Sequence, residues 1–287
     1  MKIVTDSAAD MPIQEIEELD ITVAPLHIQF PEGGINSDKI TPDEFYTRLK
    51  EMEPEVPSTS QPSAGVFAQI YQPLVAEGKE ILSIHISSGL SGTIESARVG
   101  ASQIAGADIT VVDTLTLSGG ERFQVLAAAL GSRAGMSKQA ILERLKKIGA
   151  ATEVAFTLET LSYLARGGRI GRVQALAGAL LHIKPVIYVD KKDGKYNSAG
   201  KGRTLRRTME LVVEHHLKSF GANNPVWVTV LHGQFHEQAD EIAKMLKERL
   251  QVKKLEILRI SPVLGVHTGP GVVGAAVVPY TLMEGFE

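Results

Sequence analysis

Apolar runs of strand length alternate with helical patterns along this chain, and that alternation confines it to a sheet covered by helices. Ile3–Val4, Thr22–Gln29, Ile81–Ile86 and Ile109–Val112 read as strands. Phe45–Met52 has helical spacing behind Thr41-Pro42-Asp43-Glu44, where Thr41 can cap and Pro42 suits the first helical position. Ser63–Ala76, Thr93–Ile104, Leu117–Arg133 and Lys138–Lys147 read as further helices. Near Ala150 the rhythm changes. A strand at Val154–Leu158, a short helix ending at Gly167-Gly168 and the apolar stretch Val173–Leu181 come next. Ile183–Val189 and Lys195–Ala199 flank Asp193-Gly194, a hairpin signal. Helices at Leu205–Ser219 and His236–Leu250 then alternate with strands at Val226–Leu231, Lys254–Ile260 and Val272–Val278. The expected fold is α/β in two domains: residues 1–150 doubly wound, residues 151–287 α+β with antiparallel pairs.

Composition removes several function classes. A net charge of −3 argues against nucleic acid as the main partner, because neutralising phosphates needs a basic excess. With no cysteine, thiolate metal sites, disulfides and cysteine nucleophiles are excluded. The histidines are scattered, no HExxH or carboxylate-rich calcium loop occurs, and no metal site is expected. Walker A and GxGxxG patterns are missing at the strand-to-helix turns. MKIVTDS leads straight into structure without the ~7–15-residue apolar core of a signal peptide. The nine residues of Val173–Leu181 fall short of the ~20 of a membrane span, so a soluble, cytoplasmic protein is expected.

Chemistry concentrates in a few segments. SSGLSGT (87–93) follows a strand and opens a helix, so backbone N–H groups and the hydroxyls of Ser87, Ser88, Ser91 and Thr93 can converge on an anion. Gly89 and Gly92 permit close approach of the backbone. The competing reading is a plain capped turn. TSQPS (59–63) supplies Thr59 and Ser60 at the end of an extended, proline-rich stretch, or is an ordinary loop before the Ser63 cap. Asp6, in TDS (5–7), can orient a hydroxyl or cap the next turn. HTGPG (267–271) combines the His267 imidazole with a tight turn before the last strand. His232 is a weaker candidate, and the pair His215-His216 reads as exposed helix surface. Seven basic residues and one acidic one fall between positions 191 and 207, either a solvated hairpin or a patch for a phosphate-bearing ligand, a protein or an anionic membrane.

TDS (5–7), TSQPS (59–63), SSGLSGT (87–93), VDT (112–114), LSYLARGGRIG (161–171), KGR (201–203) and HTGPG (267–271) occur in this order, and together they resemble the DegV family of bacterial fatty-acid-binding proteins. Characterised members of that family are the lipid-carrying subunit of fatty acid kinase. The resemblance implies one long-chain fatty acid, such as hexadecanoate, buried between two domains, with no cofactor and no catalysis by this chain. It implies that Thr59 and Ser91 bind the carboxylate, with His267 as a supporting donor and Ser60, Ser88 and Gly92 beside them. It also implies an ATP-dependent kinase partner, which raises Arg169, Lys201 and Arg203 as partner-binding residues. A role in phospholipid metabolism and transient membrane contact complete the expectation. The acyl chain is expected along the apolar material around Val173–Leu181 and the strands facing it. A serine hydrolase is the rival, because GLSGT (89–93) approaches G-x-S-x-G and precedes Asp113 and His267 in chain order; Thr93 in place of the second Gly weakens it. A lipid or small-acid sensor is the remaining alternative.

Overall fold

The computed structural model describes residues 1–78, 80–177 and 183–285. The first part runs β1 (Lys2–Asp6), α1 (Ile13–Glu18), β2 (Ile21–Ala24), β3 (His27–Phe30), β4 (Gly33–Asn36), α2 (Pro42–Glu51) and β5 (Ser58–Ser60). It continues with α3 (Ala64–Ala76), β6 (Ile81–His85), α4 (Thr93–Ser102) and β7 (Ile109–Asp113). Two helices follow, α5 (Ser118–Arg133) and α6 (Lys138–Ala151). The second part comprises β8 (Glu153–Leu158), α7 (Ser162–Arg166), α8 (Gln174–Ala177), β9 (Lys184–Asp190), β10 (Lys195–Gly202) and α9 (Leu205–Phe220). It ends with β11 (Pro225–His232), α10 (His236–Arg249), β12 (Gln251–Arg259), α11 (Pro262–Thr268) and β13 (Val272–Pro279).

β2-β1-β6-β7 form a parallel sheet, and β10-β9-β8-β13-β11-β12 form a second sheet that is antiparallel except between β11 and β12. The alternation of side chains along a strand gives each sheet two faces to bury. In β1, Val4 packs with Phe67 and Tyr71 of α3, whereas Ile3 joins the cluster that holds Phe123 and Leu126 of α5. That same cluster includes Phe156, Leu231 and Ala276 of the second sheet, so the inner faces of both sheets share one core. α9 and α10 close the outer face of the second sheet through a separate cluster.

α5 is the middle layer. It touches β1 and β6 on one side and β8, β11 and β13 on the other, and most of its residues are buried. Gly119 sets the distance to the second sheet, because a Cβ there would stand 2.8 Å from Ala276 Cβ and 3.1 Å from Leu231 Cδ1. Arg122, 1% exposed, donates from Nε to Glu15 Oε2 (2.8 Å) in α1 and from Nη1 to Glu256 Oε2 (2.9 Å) in β12. Trp227 Nε1 donates to the same Glu256 oxygen at 2.9 Å. Burial alone would raise the Glu256 carboxyl, but the Arg122 and Trp227 donors hold it below its ordinary value.

Several expectations change. The strand expected at Thr22–Gln29 is interrupted at Pro25-Leu26, where proline cannot donate to the ladder. β3 departs there to pair with β4 and β5 in a third, antiparallel sheet. HTGPG is not simply a turn: His267 and Thr268 form the last turn of α11, a buried helix that starts with Pro262 at its first position. His216 is fully buried under α9 rather than exposed, with both ring nitrogens unpartnered. Of the stretch Val173–Leu181, residues 174–177 form α8 and residues 178–181 lie outside the described residues. Thr41 caps α2 in a reciprocal box with Glu44, and Ser63 caps α3, as their sequence context predicts.

Two outcomes follow from these buried groups. Arg122→Met leaves two partly buried carboxylates without their counter-ion and should lower the unfolding free energy by about 3 kcal/mol in urea denaturation; a loss below about 1 kcal/mol would deny Arg122 this clamping role. Burial pushes the His216 imidazole down to about 3. The unfolded chain therefore takes up a proton near its ordinary value that the folded chain refuses, and stability is lost as pH falls from the mid-sixes towards 3. His216→Phe should flatten that loss by up to about 1.4 kcal/mol per pH unit, read from denaturation midpoints between pH 7 and 5. An unchanged slope would show that His216 does not titrate this way.

Candidate acid-binding site

The SSGLSGT segment is fastened from below before it offers anything to a ligand. Asp6 at the end of β1 accepts from Ile86 N–H (3.0 Å) and from Ala8 N–H (2.9 Å), so it both anchors the end of β6 and caps the next turn. Its Oδ2 also lies 3.0 Å from His85 Nδ1, while His85 Nε2 meets Ser83 Oγ at 2.6 Å and Ser83 meets Tyr71 OH at 2.7 Å. These residue types resemble a hydrolytic triad, yet Ser83 and His85 have no exposed surface. The network is a scaffold for the cradle above it.

Each serine of the cradle has a different position. Ser87 is buried, and its hydroxyl donates to Gly194 O (2.9 Å) in the β9–β10 turn while accepting from Gly89 N–H (3.0 Å). Gly194 adopts φ +64, and a Cβ on it would collide with Ser87 Oγ. Arg172, in the turn before α8, pairs with Asp193 of that same hairpin turn and approaches Asp190 at 3.6 Å. Ser88 is exposed, with its N–H donated to Asp113 Oδ1 at 3.2 Å. Ser91 is half-buried, its hydroxyl 2.8 Å from Thr93 Oγ1, at the N-terminal end of α4 where the helix dipole favours an anion.

Thr59 and His267, 208 residues apart, come together: Thr59 Oγ1 and His267 Nε2 share a 2.8 Å hydrogen bond. Ser60, next along β5, points to the opposite face and is exposed. Gln61 reaches across to the cradle, its Nε2 lying 2.9 Å from where a Cβ on Gly92 would be. On the other side, Gly167 leaves room for the His267 ring, since a Cβ there would collide with Nδ1. Burial, with the nearby Arg169 charge, pushes His267 down to about 4, so the imidazole is neutral at pH 7. Ser88, Ser91, Gly92 and Arg169 line one cleft. Arg169 donates to Gly167 O at 2.9 Å and has no ion-pair partner among the described residues. Lys201 and Arg203 are exposed and do not line this cleft. Lys201 stands six residues along β10 from Lys195 at the cleft, about 20 Å at strand rise.

An apolar cavity lies between the start of α5 and the inner face of the second sheet, sharing Tyr196 with the cleft. Leu117, Val154, Phe156, Leu231, Leu264 and Val272 supply most of its wall. Residues 173–177 do not line this cavity, and residues 178–181 of the expected stretch lie outside the described residues. Two residues join cavity and head-group region: Tyr196 lines both spaces, and Thr268 lines the cavity immediately after His267. Gln61, Gly167, Tyr196 and Thr268 were not singled out as site residues from sequence. Gln61, Gly167 and Thr268 carried a signal, as members of TSQPS, LSYLARGGRIG and HTGPG.

The arrangement is an α/β two-domain protein with neutral donors and one unpaired guanidinium at the mouth of an apolar cavity. The chain belongs to the DegV family: the family profile described as an uncharacterised protein, DegV family, matches residues 1–280. A DegV domain-containing protein of Deinococcus radiodurans is 38% identical over 260 residues, covering 91% of this chain and 90% of the relative. Among solved structures, a DegV family protein of Thermus thermophilus, described for its fatty acid binding, superposes with a TM-score of 0.90 at 31% identity. That alignment covers 97% of this chain and 99% of the other. A stearic acid-binding protein of Eubacterium ventriosum gives a TM-score of 0.89 at 29% identity, covering 97% and 98% of the two chains.

Ser87 ties the cradle to the β9–β10 turn, so Ser87→Ala should cost about 1 kcal/mol of stability. It should also raise hydrogen exchange at Gly89 and Gly194 together. Faster exchange at only one of the two would separate the cradle from the turn.

Proposed function

We propose that this chain binds a long-chain fatty acid, its carboxylate held at the mouth by Thr59, Ser91 and His267 and its acyl chain in the apolar cavity between the two domains. The observation that carries the reading is the continuity from the Thr59–His267 pair, through Thr268, into the cavity wall. An ionised carboxylate only accepts hydrogen bonds, which suits hydroxyls, backbone N–H groups and a neutral imidazole whose N–H is turned towards it. A sixteen-carbon tail supplies on the order of 10 kcal/mol gross, at ~0.8 kcal/mol per buried CH₂. The tail then provides the affinity, and a modest head-group site leaves the carboxylate chemically available. With a division near residue 150, the cradle would belong to the first domain and His267 to the second.

We further infer that the bound acid is presented to a separate ATP-dependent kinase for acyl-phosphate formation in the cytoplasm. Arg169 at the mouth would face the transferred phosphate, while Lys201 and Arg203 extend the basic surface for the partner or for brief contact with an anionic membrane. In support, among the described residues no helix is long and apolar enough to cross a membrane, so any such contact is peripheral. The hydrolase alternative needs Ser91, His267 and Asp113 hydrogen-bonded in series. Here Ser91 meets Thr93, His267 meets Thr59, and Asp113 accepts from the N–H groups of Ser88 and Leu115.

Native mass spectrometry of the purified protein, followed by lipid extraction, should find about one long-chain fatty acid per chain. Protein that is empty and takes up none would overturn the reading. Thr59→Ala with Ser91→Ala should weaken uptake or abolish phosphorylation by the kinase while leaving the fold intact. Unchanged binding and phosphorylation in the double variant would remove both hydroxyls from the site.

A further inference from the structure

The lining of the apolar cavity runs across the six-stranded sheet from one edge to the other. Tyr196 stands on the edge strand β10, where the cavity meets the head-group cleft. The lining then passes β8 at Phe156, β13 at Val272 and β11 at Leu231. It reaches Ile260, the residue that follows the opposite edge strand, β12. Six strands leave five steps of about 4.8 Å between those edges, roughly 24 Å in all.

The far side is closed by very little. Ile260 lines both the cavity and a separate outer cleft between α1, the start of α2 and the end of β12. Beside it Ser118 lines the cavity and Asp10 lines the cleft, and the Ser118 hydroxyl donates to Asp10 Oδ2. Asp10 Oδ1 accepts from Ser261 N–H at 2.7 Å, and Ile260 N–H donates to His232 O at 3.0 Å. Asp10 and Ser118 have φ +51 and +55, a left-handed backbone that residues other than glycine seldom adopt. Strain on both sides of a single hydrogen bond marks a contact that the surrounding packing enforces. A methyl group pressed against this pair meets oxygens that are already hydrogen-bonded, and gains no apolar surface there. Beyond the partition the outer cleft offers Ile13, Ile16, Ile40 and Leu258, together with Asp38 and Glu44.

We propose that Ile260 and the Ser118–Asp10 pair form the end wall of the acyl cavity and set the longest chain it accepts. The inference rests on the fatty-acid reading and adds to it the course of the tail, across the strands from β10 to β12, and the side chains that stop it. Ile260 determines the length limit, because its side chain is the apolar part of the partition. Truncating it lets the tail extend towards the isoleucines of the outer cleft.

The test is competition among saturated fatty acids of fourteen to twenty-two carbons for the delipidated full chain, read by native mass spectrometry. Uptake by the wild-type chain should rise with length and then fall sharply. Ile260→Ala should move that limit up by about two carbons, enriching the longer acid roughly fifteenfold at about fourfold per buried methylene. Ser118→Gly suits the left-handed backbone, so it keeps the fold, and it should move the limit in the same direction. Val272→Ala widens the cavity away from the partition and should lower uptake at every length without moving the limit. A wild-type preference with no upper limit, a limit unmoved in both wall variants, or an equal shift in Val272→Ala would overturn the end wall and leave the fatty-acid reading intact. No uptake of any acid by the wild-type chain would remove that reading, and the end wall with it.

Discussion

A single helix held between two sheets governs this molecule. α5 packs against the parallel sheet on one side and the six-stranded sheet on the other, so the two inner faces condense into one core. A helix in that position needs small residues where strands come close and counter-ions for its buried guanidinium. Gly119 meets the first need against Ala276, and Arg122, bonded to Glu15 and Glu256, meets the second. The apolar cavity opens at the start of this helix, where Leu117 faces Val154 and Leu231. Layer spacing and cavity therefore have a common origin. Wherever α5 cannot fill the gap between the sheets, an apolar volume remains.

Polar chemistry is divided between support and exposure. Asp6, His85 and Ser83 are enclosed and spend their hydrogen bonding on the end of β6 and on the turn after β1. Ser87 is spent on the β9–β10 turn. What faces the mouth is the second half of the cradle, with Ser91, Gly92 and the start of α4. A cradle fixed at one end and open at the other suits the proposed recognition of a carboxylate, because donors held in place lose little freedom when the acid arrives. The neutral state of His267 follows from the same enclosure, since burial removes the solvation that an imidazolium requires.

Much of this organisation was legible in the order of the residues. The alternation of strand and helix patterns placed both sheets, and Thr41, Ser63 and Asp193-Gly194 marked two helix starts and one hairpin. What escaped was local and had physical reasons. α11 is apolar on every side because it is buried on every side, so it lacks the one-sided pattern that announces a surface helix. β5 is three residues long and acquires its extended form by pairing with β3. His216 sits beside a half-exposed histidine, and nothing in that pair of letters tells which ring turns towards the sheet.

Sequence by itself determined the fold class, the family and the segments in which the chemistry resides, because periodicity, caps and short motifs are properties of neighbouring residues. Only the tertiary structure decided how those segments are used. It set Thr59 against His267 across 208 positions, committed Ser87 to a carbonyl in the other half of the chain, and left an apolar cavity beside the start of α5. Whether a hydroxyl is free for a ligand depends on what packs against it, and in this chain the packing partners lie a hundred or more residues away.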